Sequence, residues 1–193
     1  PELDERVKAV EHFEKTGELN LNANIQFGEG GAGTFSDGKL TTRVGDPLCA
    51  FVTDAFLQHG APADIAWRQK PHVGTDLLRG IIRSIRQEII ALGGEVRFNT
   101  ALTGLKIENG ALASVETTAG DFACEQLILA VGHSARDTFA MLHRQGMPLE
   151  CKPFSVGFRA EHLQTEIDKS LYHAAAGHPV LPVGEYQLSQ HVS

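Results

Sequence analysis

Cysteine is scarce in this chain of 193 residues: Cys49, Cys124 and Cys151 are an odd number with no C-x-x-C spacing. That excludes a disulfide framework and sets the expectation of a reducing compartment, by default the cytoplasm, with each thiol a small buried hydrophobe. Runs of positive charge are missing as well. The balance of 17 Lys+Arg against 24 Asp+Glu leaves a formal charge of −7, which argues against general nucleic-acid affinity. Long apolar runs are absent, since a stretch such as residues 127–131 is strand-sized and far short of the ~20 residues of a membrane-spanning helix. Internal repeats and low-complexity linkers are not seen. No Ser-His-Asp order or nucleophile elbow supports hydrolysis, and His162, His173 and His178 fall into no zinc spacing, so no metal is expected. What is present is 42% hydrophobic residues with 21% charged, a globular composition of a size for one domain, or one and part of another.

Periodicity predicts the elements. Residues 4–15 read as an amphipathic helix, with Val7, Val10 and Phe13 in phase. A second helix fits residues 46–59, with Leu48, Phe51, Val52, Ala55 and Phe56 on one side, Gly60 as its stop and Pro62 beyond. A third begins with Thr75 or Asp76 as N-cap and carries Leu77, Leu78, Ile81, Ile82, Ile85, Ile89 and Ile90 as its apolar face. After Gly93-Gly94, residues 95–100 alternate as a strand. Three short strands follow at residues 102–107, 111–117 and 122–124, turned at Asn109-Gly110 and Ala119-Gly120, a β-meander. Residues 127–131 form a continuous apolar run ending in Gly132-His133-Ser134, the pattern of a strand buried on both faces of a parallel sheet. A helix returns over residues 135–144. Residues 153–162 alternate again, with Phe154, Val156 and Phe158 in phase, as a strand of a second domain beginning near Cys151.

Between the first two helices lies a glycine-rich stretch, with six glycines over residues 28–45. Gly28-x-Gly30-x-x-Gly33 matches the dinucleotide fingerprint, and Asp54 follows about 20 residues beyond. The context differs from that fingerprint, because Ser36-Asp37-Gly38-Lys39 and Thr41-Thr42-Arg43 cannot open the apolar helix that holds a pyrophosphate. A more general mechanism survives: glycines let backbone N–H groups approach an anion or a flat ring, and Thr34, Ser36 and Lys39 add donors. A plain surface loop is the alternative. A long helix, a strand, a meander and a buried strand ending in glycine is also the order of a parallel nucleotide-binding sheet with a meander crossover. Its ligand lies outside the carboxyl ends of the strands, beside Val131, Gly132 and His133 and the backbone of residues 100–102.

Three motifs together resemble a known family. They are Gln26-Phe27-Gly28-Glu29-Gly30-Gly31-Ala32-Gly33-Thr34-Phe35-Ser36-Asp37-Gly38-Lys39-Leu40, then Lys70-Pro71-His72-Val73-Gly74-Thr75-Asp76-Leu77-Leu78, then Ala130-Val131-Gly132-His133-Ser134-Ala135-Arg136-Asp137-Thr138-Phe139. The chain resembles the bacterial FAD-dependent dehydrogenases often labelled NAD(FAD)-utilising, largely of unknown substrate. The resemblance implies a two-domain flavoprotein fold related to glutathione reductase. The expected class is α/β, an FAD/NAD(P)-binding Rossmann-like domain with a three-stranded meander crossover over residues 1–150, and the start of a substrate domain over 151–193. It also implies that the N-terminal βαβ unit with the true fingerprint would precede Pro1, so the chain is expected to be an internal fragment that holds FAD weakly or not at all and exposes apolar edges.

Carried over by position, Gly30, Gly31, Ala32, Gly33, Thr34, Ser36, Asp37 and Lys39 would lie near the flavin or its ribityl-pyrophosphate arm. Leu102 would offer backbone to adenine, and Val131, Gly132 and His133 would flank the diphosphate. NAD(P)H is the electron donor the resemblance allows, and no residue is assigned as catalytic acid or base. His133 is either a cofactor contact or a structural histidine; His72 and Asp76 either orient substrate or serve the turn and cap; Asp37 and Lys39 are free to pair with each other; Arg159 faces substrate or solvent. The competing class of function is a binding module that keeps FAD as a structural ligand.

Overall fold

The computed structural model describes residues 1–35, 40, 42, 44–67, 73–154, 156–157 and 160–186. It divides into two compact units, Pro1–Leu149 and Glu150–Ser193. In chain order the elements are α1 (Leu3–Thr16), α2 (Leu48–Gln58), α3 (Thr75–Ala91), β1 (Leu102–Glu108), β2 (Ala111–Thr117), β3 (Gly120–Ala123), α4 (Arg136–Arg144) and α5 (Gln164–Tyr172), with short 3-10 turns at Ala32–Phe35, Ala63–Ala66 and His173–Ala175. The architecture is mixed α/β with a three-stranded antiparallel sheet.

Local chemistry explains the helix ends. Glu2 caps α1 by accepting from the Asp4 N–H at 2.9 Å while Glu5 accepts from the Glu2 N–H, a capping box that satisfies two orphan donors. These bonds hold the Glu2 carboxyl below the ordinary glutamate range, the Asp4 amide first and the nearby Arg86 after it. Gly17 ends α1 in the left-handed conformation at φ 77°. The cap of α3 is Gly74, without a side-chain bond, in place of the expected Thr75 or Asp76.

The core lies between α3 and the segments before it. Ile65, Val73, Leu78 and Ile81 are buried together, with Phe56, Leu57, Ala61, Ile82 and Ile85 packed around them. Each such side chain removed from water contributes about 1.5–3 kcal/mol. The apolar stripe read from α3 is wider than its buried face, since Leu77, Ile89 and Ile90 are exposed. In α2 the expected face is overturned: Leu48, Phe51 and Val52 point to solvent, because the core contacts come from Phe56 and Leu57 near its end. The cysteines, expected buried, are half-buried (Cys49, Cys124) or exposed (Cys151), and all are free thiols.

The meander follows the turn chemistry. Asn109 and Gly110, both at positive φ (52° and 80°), make the two-residue link between β1 and β2 that the strand twist favours. The outer edge of β1 is covered by a side chain: Gln145, just after α4, accepts from the Leu105 N–H at 3.0 Å and donates to the Leu105 carbonyl at 3.2 Å. Two expected strands are absent. Residues 95–100 are irregular because Asn99 sits at φ 52°, which breaks an extended backbone. Residues 127–131 pair with no strand among the described residues, and Leu127, Ile128 and Leu129 are exposed rather than buried on both faces. A parallel strand exists only through neighbours on either side, and the described residues supply none.

In the second unit, the strand expected over residues 153–162 is not formed among the described positions, where Phe154 and Val156 face solvent. Phe158 and Arg159 lie outside the described residues. The unit is organised by α5, an element not anticipated from the sequence. Asp168 on this helix accepts from the Gly184 N–H at 2.6 Å and from Gln164 Nε2 at 2.9 Å, which fastens the following segment to it.

Candidate functional site: a glycine loop held by arginines

The glycine loop begins in a segment whose backbone is satisfied by side chains. Asn20 Oδ1 accepts from the N–H groups of Asn22 and Ala23, and Asn24 Oδ1 from those of Gln26 and Phe27. Such Asx turns replace ladder bonds and leave the carbonyls free to face inward. Arg6 of α1 takes them. Its side chain is fully buried, donating from Nε to the Asn24 carbonyl at 2.8 Å, from Nη2 to that of Ile25 at 2.7 Å and from Nη1 to that of Glu29 at 2.7 Å. Burial, and secondarily the charge of Arg79, pushes the Arg6 guanidinium down to about 10, still cationic at neutral pH.

Gly28 makes room for this arginine. Its φ is 121°, and a Cβ there would come 2.7 Å from Arg6 Cδ. Glu29, the acid within residues 28–35, is paired: its carboxylate accepts from the Leu3 N–H at 3.0 Å and meets Arg86 Nε at 3.1 Å, while Arg86 also reaches Glu2 at 2.9 Å. At the far end Phe35 receives two guanidinium groups on its ring, Arg6 at 4.5 Å and Arg79 of α3 at 4.6 Å. The 3-10 turn at Ala32–Phe35 thus rests against α3.

Gly30 and Gly31 take φ values of 84° and 68°, placing successive amides in the concave arrangement that holds anions. The Gly31 N–H is used on the Gly28 carbonyl and that of Thr34 on Gly31. Gly30, Ala32 and Gly33 are exposed, and their N–H groups have no acceptor among the described residues. Thr34 is fully buried with its hydroxyl unpartnered, and Arg79 Nε is also buried without a partner.

Of the residues singled out from the sequence, Gly30, Gly31, Ala32, Gly33 and Thr34 therefore lie together in one turn. Ser36, Asp37 and Lys39 lie outside the described residues, as does His72. Leu102 opens β1 opposite Thr117. Val131, Gly132 and His133 sit between β3 and α4, and no hydrogen bond among the described residues joins them to the loop. His133 is exposed, and among the described residues its ring meets only the neighbouring Ser134 hydroxyl, at 3.4 Å. Asp76 is an exposed member of the first turn of α3. Arg6, Arg79, Arg86 and Glu29 were missed. The available signal was Arg6 itself, which shares a helical face with Leu3 and Val10 where an apolar residue is the rule.

Within residues 28–35 the donor set suits an anion, and the one acid, Glu29, is paired with Arg86. Among the described residues no three His, Cys, Asp or Glu side chains cluster to hold a metal ion. Two surface concavities of about 280 and 290 Å³ lie elsewhere: Val10, Phe13 and Leu19 line the first, Leu105, Ile107 and Met147 the second, and residues 28–35 line neither. Among the described residues no helix is long and apolar enough to cross a membrane.

Comparison with known proteins bears on the cofactor. A relative from Clostridium beijerinckii (strain ATCC 51743 / NCIMB 8052), described as an uncharacterized protein, is 48% identical over 188 residues, which are 97% of this chain and 35% of the relative. The chain thus spans about a third of that protein's length. Residues 153–193 match the family described as FAD-dependent protein, C-terminal domain-like, and the match supports an FAD-dependent protein family.

Proposed function

We propose that the protein carrying this chain is an FAD-dependent oxidoreductase that moves a hydride between a small-molecule substrate and the flavin, with NAD(P)H as electron donor. The match of residues 153–193 to an FAD-dependent family carries the reading. In it, residues 1–150 supply part of a Rossmann-like FAD-binding domain and residues 151–193 the beginning of the substrate domain. Residues 28–35 fit a cofactor that bears phosphates, because the exposed amides are donors without acceptors among the described residues and Glu29 is already spent on Arg86.

The residues of this chain then bind and orient. The Gly30, Ala32 and Gly33 amides donate to the cofactor, Arg6 and Phe35 fix the turn that presents them, and Thr34 packs beneath. Ser36, Asp37, Lys39, Leu102, Val131, Gly132 and His133 are assigned to the same cofactor by the motifs they belong to. When bound, the flavin supplies the hydride-transfer chemistry, and the protein contributes placement and electrostatics.

One observation favours a second reading, in which FAD is a structural ligand. Within residues 28–35 the sole titratable side chain is Glu29, and it is committed to an ion pair, so these described residues of the loop bring no free proton donor. The test is the visible spectrum of the full-length protein purified without added cofactor, followed by anaerobic NADH and NADPH. Flavin bands near ~450 nm that bleach support the oxidoreductase. Bands that persist with every nicotinamide support the structural ligand, and a colourless protein that refuses added FAD overturns both.

A further inference from the structure

We propose that Asn109 is a modification site, the position where this chain deamidates to aspartyl and isoaspartyl forms with water as co-reactant, and that the isoaspartyl form unfastens the β1–β2 hairpin. The inference is independent of the flavin reading.

The chemistry sets its own conditions. The backbone nitrogen of the following residue loses its proton to solvent base and attacks the side-chain carbonyl carbon, so that nitrogen must be unbonded, exposed and free of a shielding side chain. Asn20, Asn22, Asn24, Asn99 and Asn109 all lie among the described residues, and their surroundings differ. Asn20 spends its side-chain oxygen on the Asn22 and Ala23 amides, and the bulky Leu21 follows it. After Asn22 the nucleophile is the N–H of buried Ala23, already tied to Asn20 Oδ1 at 3.1 Å. Asn24 is buried with both ends of its amide bonded, to the Asn20 carbonyl at 2.7 Å and to the Gln26 and Phe27 N–H groups. Asn99 donates to Glu5 at 3.3 Å and precedes the β-branched Thr100. Asn109 is exposed and its side chain has no hydrogen bond among the described residues. The next residue is Gly110, exposed, with no acceptor for its N–H among the described residues and open space where a Cβ would stand.

The Gly110 nitrogen bonds to Asn109 Cγ, the Cγ–Nδ2 bond breaks, and ammonia leaves with the amide proton, closing a succinimide ring. One water then opens the ring, at Cγ to give the aspartyl form or at the backbone carbonyl carbon to give the isoaspartyl form. Nothing is oxidised or reduced. Asn109 and Gly110, at φ 52° and 80°, form a two-residue link that sets Glu108 opposite Ala111. The aspartyl form keeps that backbone. The isoaspartyl form inserts a methylene into it, and so short a link cannot absorb an added atom without disturbing the register.

The test holds the full-length protein at physiological temperature in mildly alkaline buffer and maps its peptides by mass spectrometry over time, beside a synthetic peptide of residues 104–114. The expected result is a gain of about 1 Da at Asn109, resolved into two products, while the other asparagines stay unchanged. Asn109→Gln, whose longer side chain closes the corresponding ring far more slowly, is expected to lose the gain and to melt as wild type does. Amide exchange in β1 and β2 is expected to quicken in the isoaspartyl product and not in Asn109→Asp. Asn109 left unchanged in the protein overturns the proposal, and conversion of the peptide alone would show that the folded turn protects it. Conversion of Asn20, Asn22, Asn24 or Asn99 at the same pace overturns the selection by bonding, and isoaspartyl protein with wild-type exchange overturns the effect on the hairpin.

Discussion

Three glycines of the loop differ in what a methyl group would meet, and that difference makes a graded test of the turn. Gly33 has no positive φ and open space where a Cβ would stand, so Gly33→Ala should be neutral or stabilise by about 0.4–1 kcal/mol through the unfolded chain. Gly31 also has open space but sits at φ 68°, so Gly31→Ala carries only the left-handed strain, about 1–2 kcal/mol. Gly30 combines φ 84° with a Cβ driven into the Thr34 hydroxyl, and Thr34 is fully buried and cannot swing away. Overpacking of that kind costs about 1–3 kcal/mol, so Gly30→Ala should lose roughly 2–5 kcal/mol in all. Urea unfolding of the flavin-free protein measures the series, with the slope checked for constancy. The expected order of destabilisation is Gly30, then Gly31, then Gly33. Equal stability of Gly30→Ala and Gly33→Ala would refute the description of the turn.

Arg6→Met should be among the most damaging single changes in the first unit, about 3–5 kcal/mol, because it strands the carbonyls of Asn24, Ile25 and Glu29 in a buried place; a thermal melt unchanged from wild type would contradict it. Gln145→Leu removes both bonds that cover the β1 edge at Leu105, a loss of about 1–2 kcal/mol, and hydrogen exchange at the Leu105 amide should accelerate while amides in β2 stay protected. In the second unit the Asp168 carboxyl lies below the ordinary 3.8, chiefly through the Gly184 N–H and then through Gln164, so its contribution is present above that value and is lost as pH falls through the lower folded pKa. Asp168→Asn should therefore flatten the acid limb of stability below about pH 4, and an unaltered acid limb in the variant would count against the latch.

The elements legible in the sequence were those whose signals are local. The span of α1, the Asn109-Gly110 turn and the span of β2 each follow from signals within a few positions, and the structure has them nearly where the pattern puts them, although Phe13 of the expected α1 face is exposed. Residues 127–131 show the opposite case. Their apolar run specifies burial on two faces, but burial is conferred by neighbouring strands, and the run stays irregular, with Leu127, Ile128 and Leu129 exposed, among the described residues. Alternation over residues 95–100 was outweighed by one residue, since Asn tolerates the left-handed conformation that Asn99 adopts and the strand is cut there. The helix α5 was hidden by the alternation of the segment before it, although Ile167 and Leu171 stand four apart on it.

The candidate site divides along the same line. Glycines announce a loop that can approach a ligand, and the motif resemblance is what singles out Gly30 to Thr34, which the structure brings into one turn. What the loop is able to hold depends on charges that come from 20 or more residues away on both sides. Arg6 reads as a surface charge on an amphipathic helix, Arg79 and Arg86 as the solvent face of α3, and a formal charge of −7 suggests an acidic surface throughout. The fold inverts this locally by two devices: it spends the loop's acid on Arg86, and it stacks two guanidinium groups on one phenyl ring. Net charge therefore governs solubility and long-range steering, while the ligand preference of a turn follows from which donors its own scaffold leaves unspent. By that criterion the Gly30, Ala32 and Gly33 amides, whose N–H groups have no acceptor among the described residues, are donors that composition could not reveal.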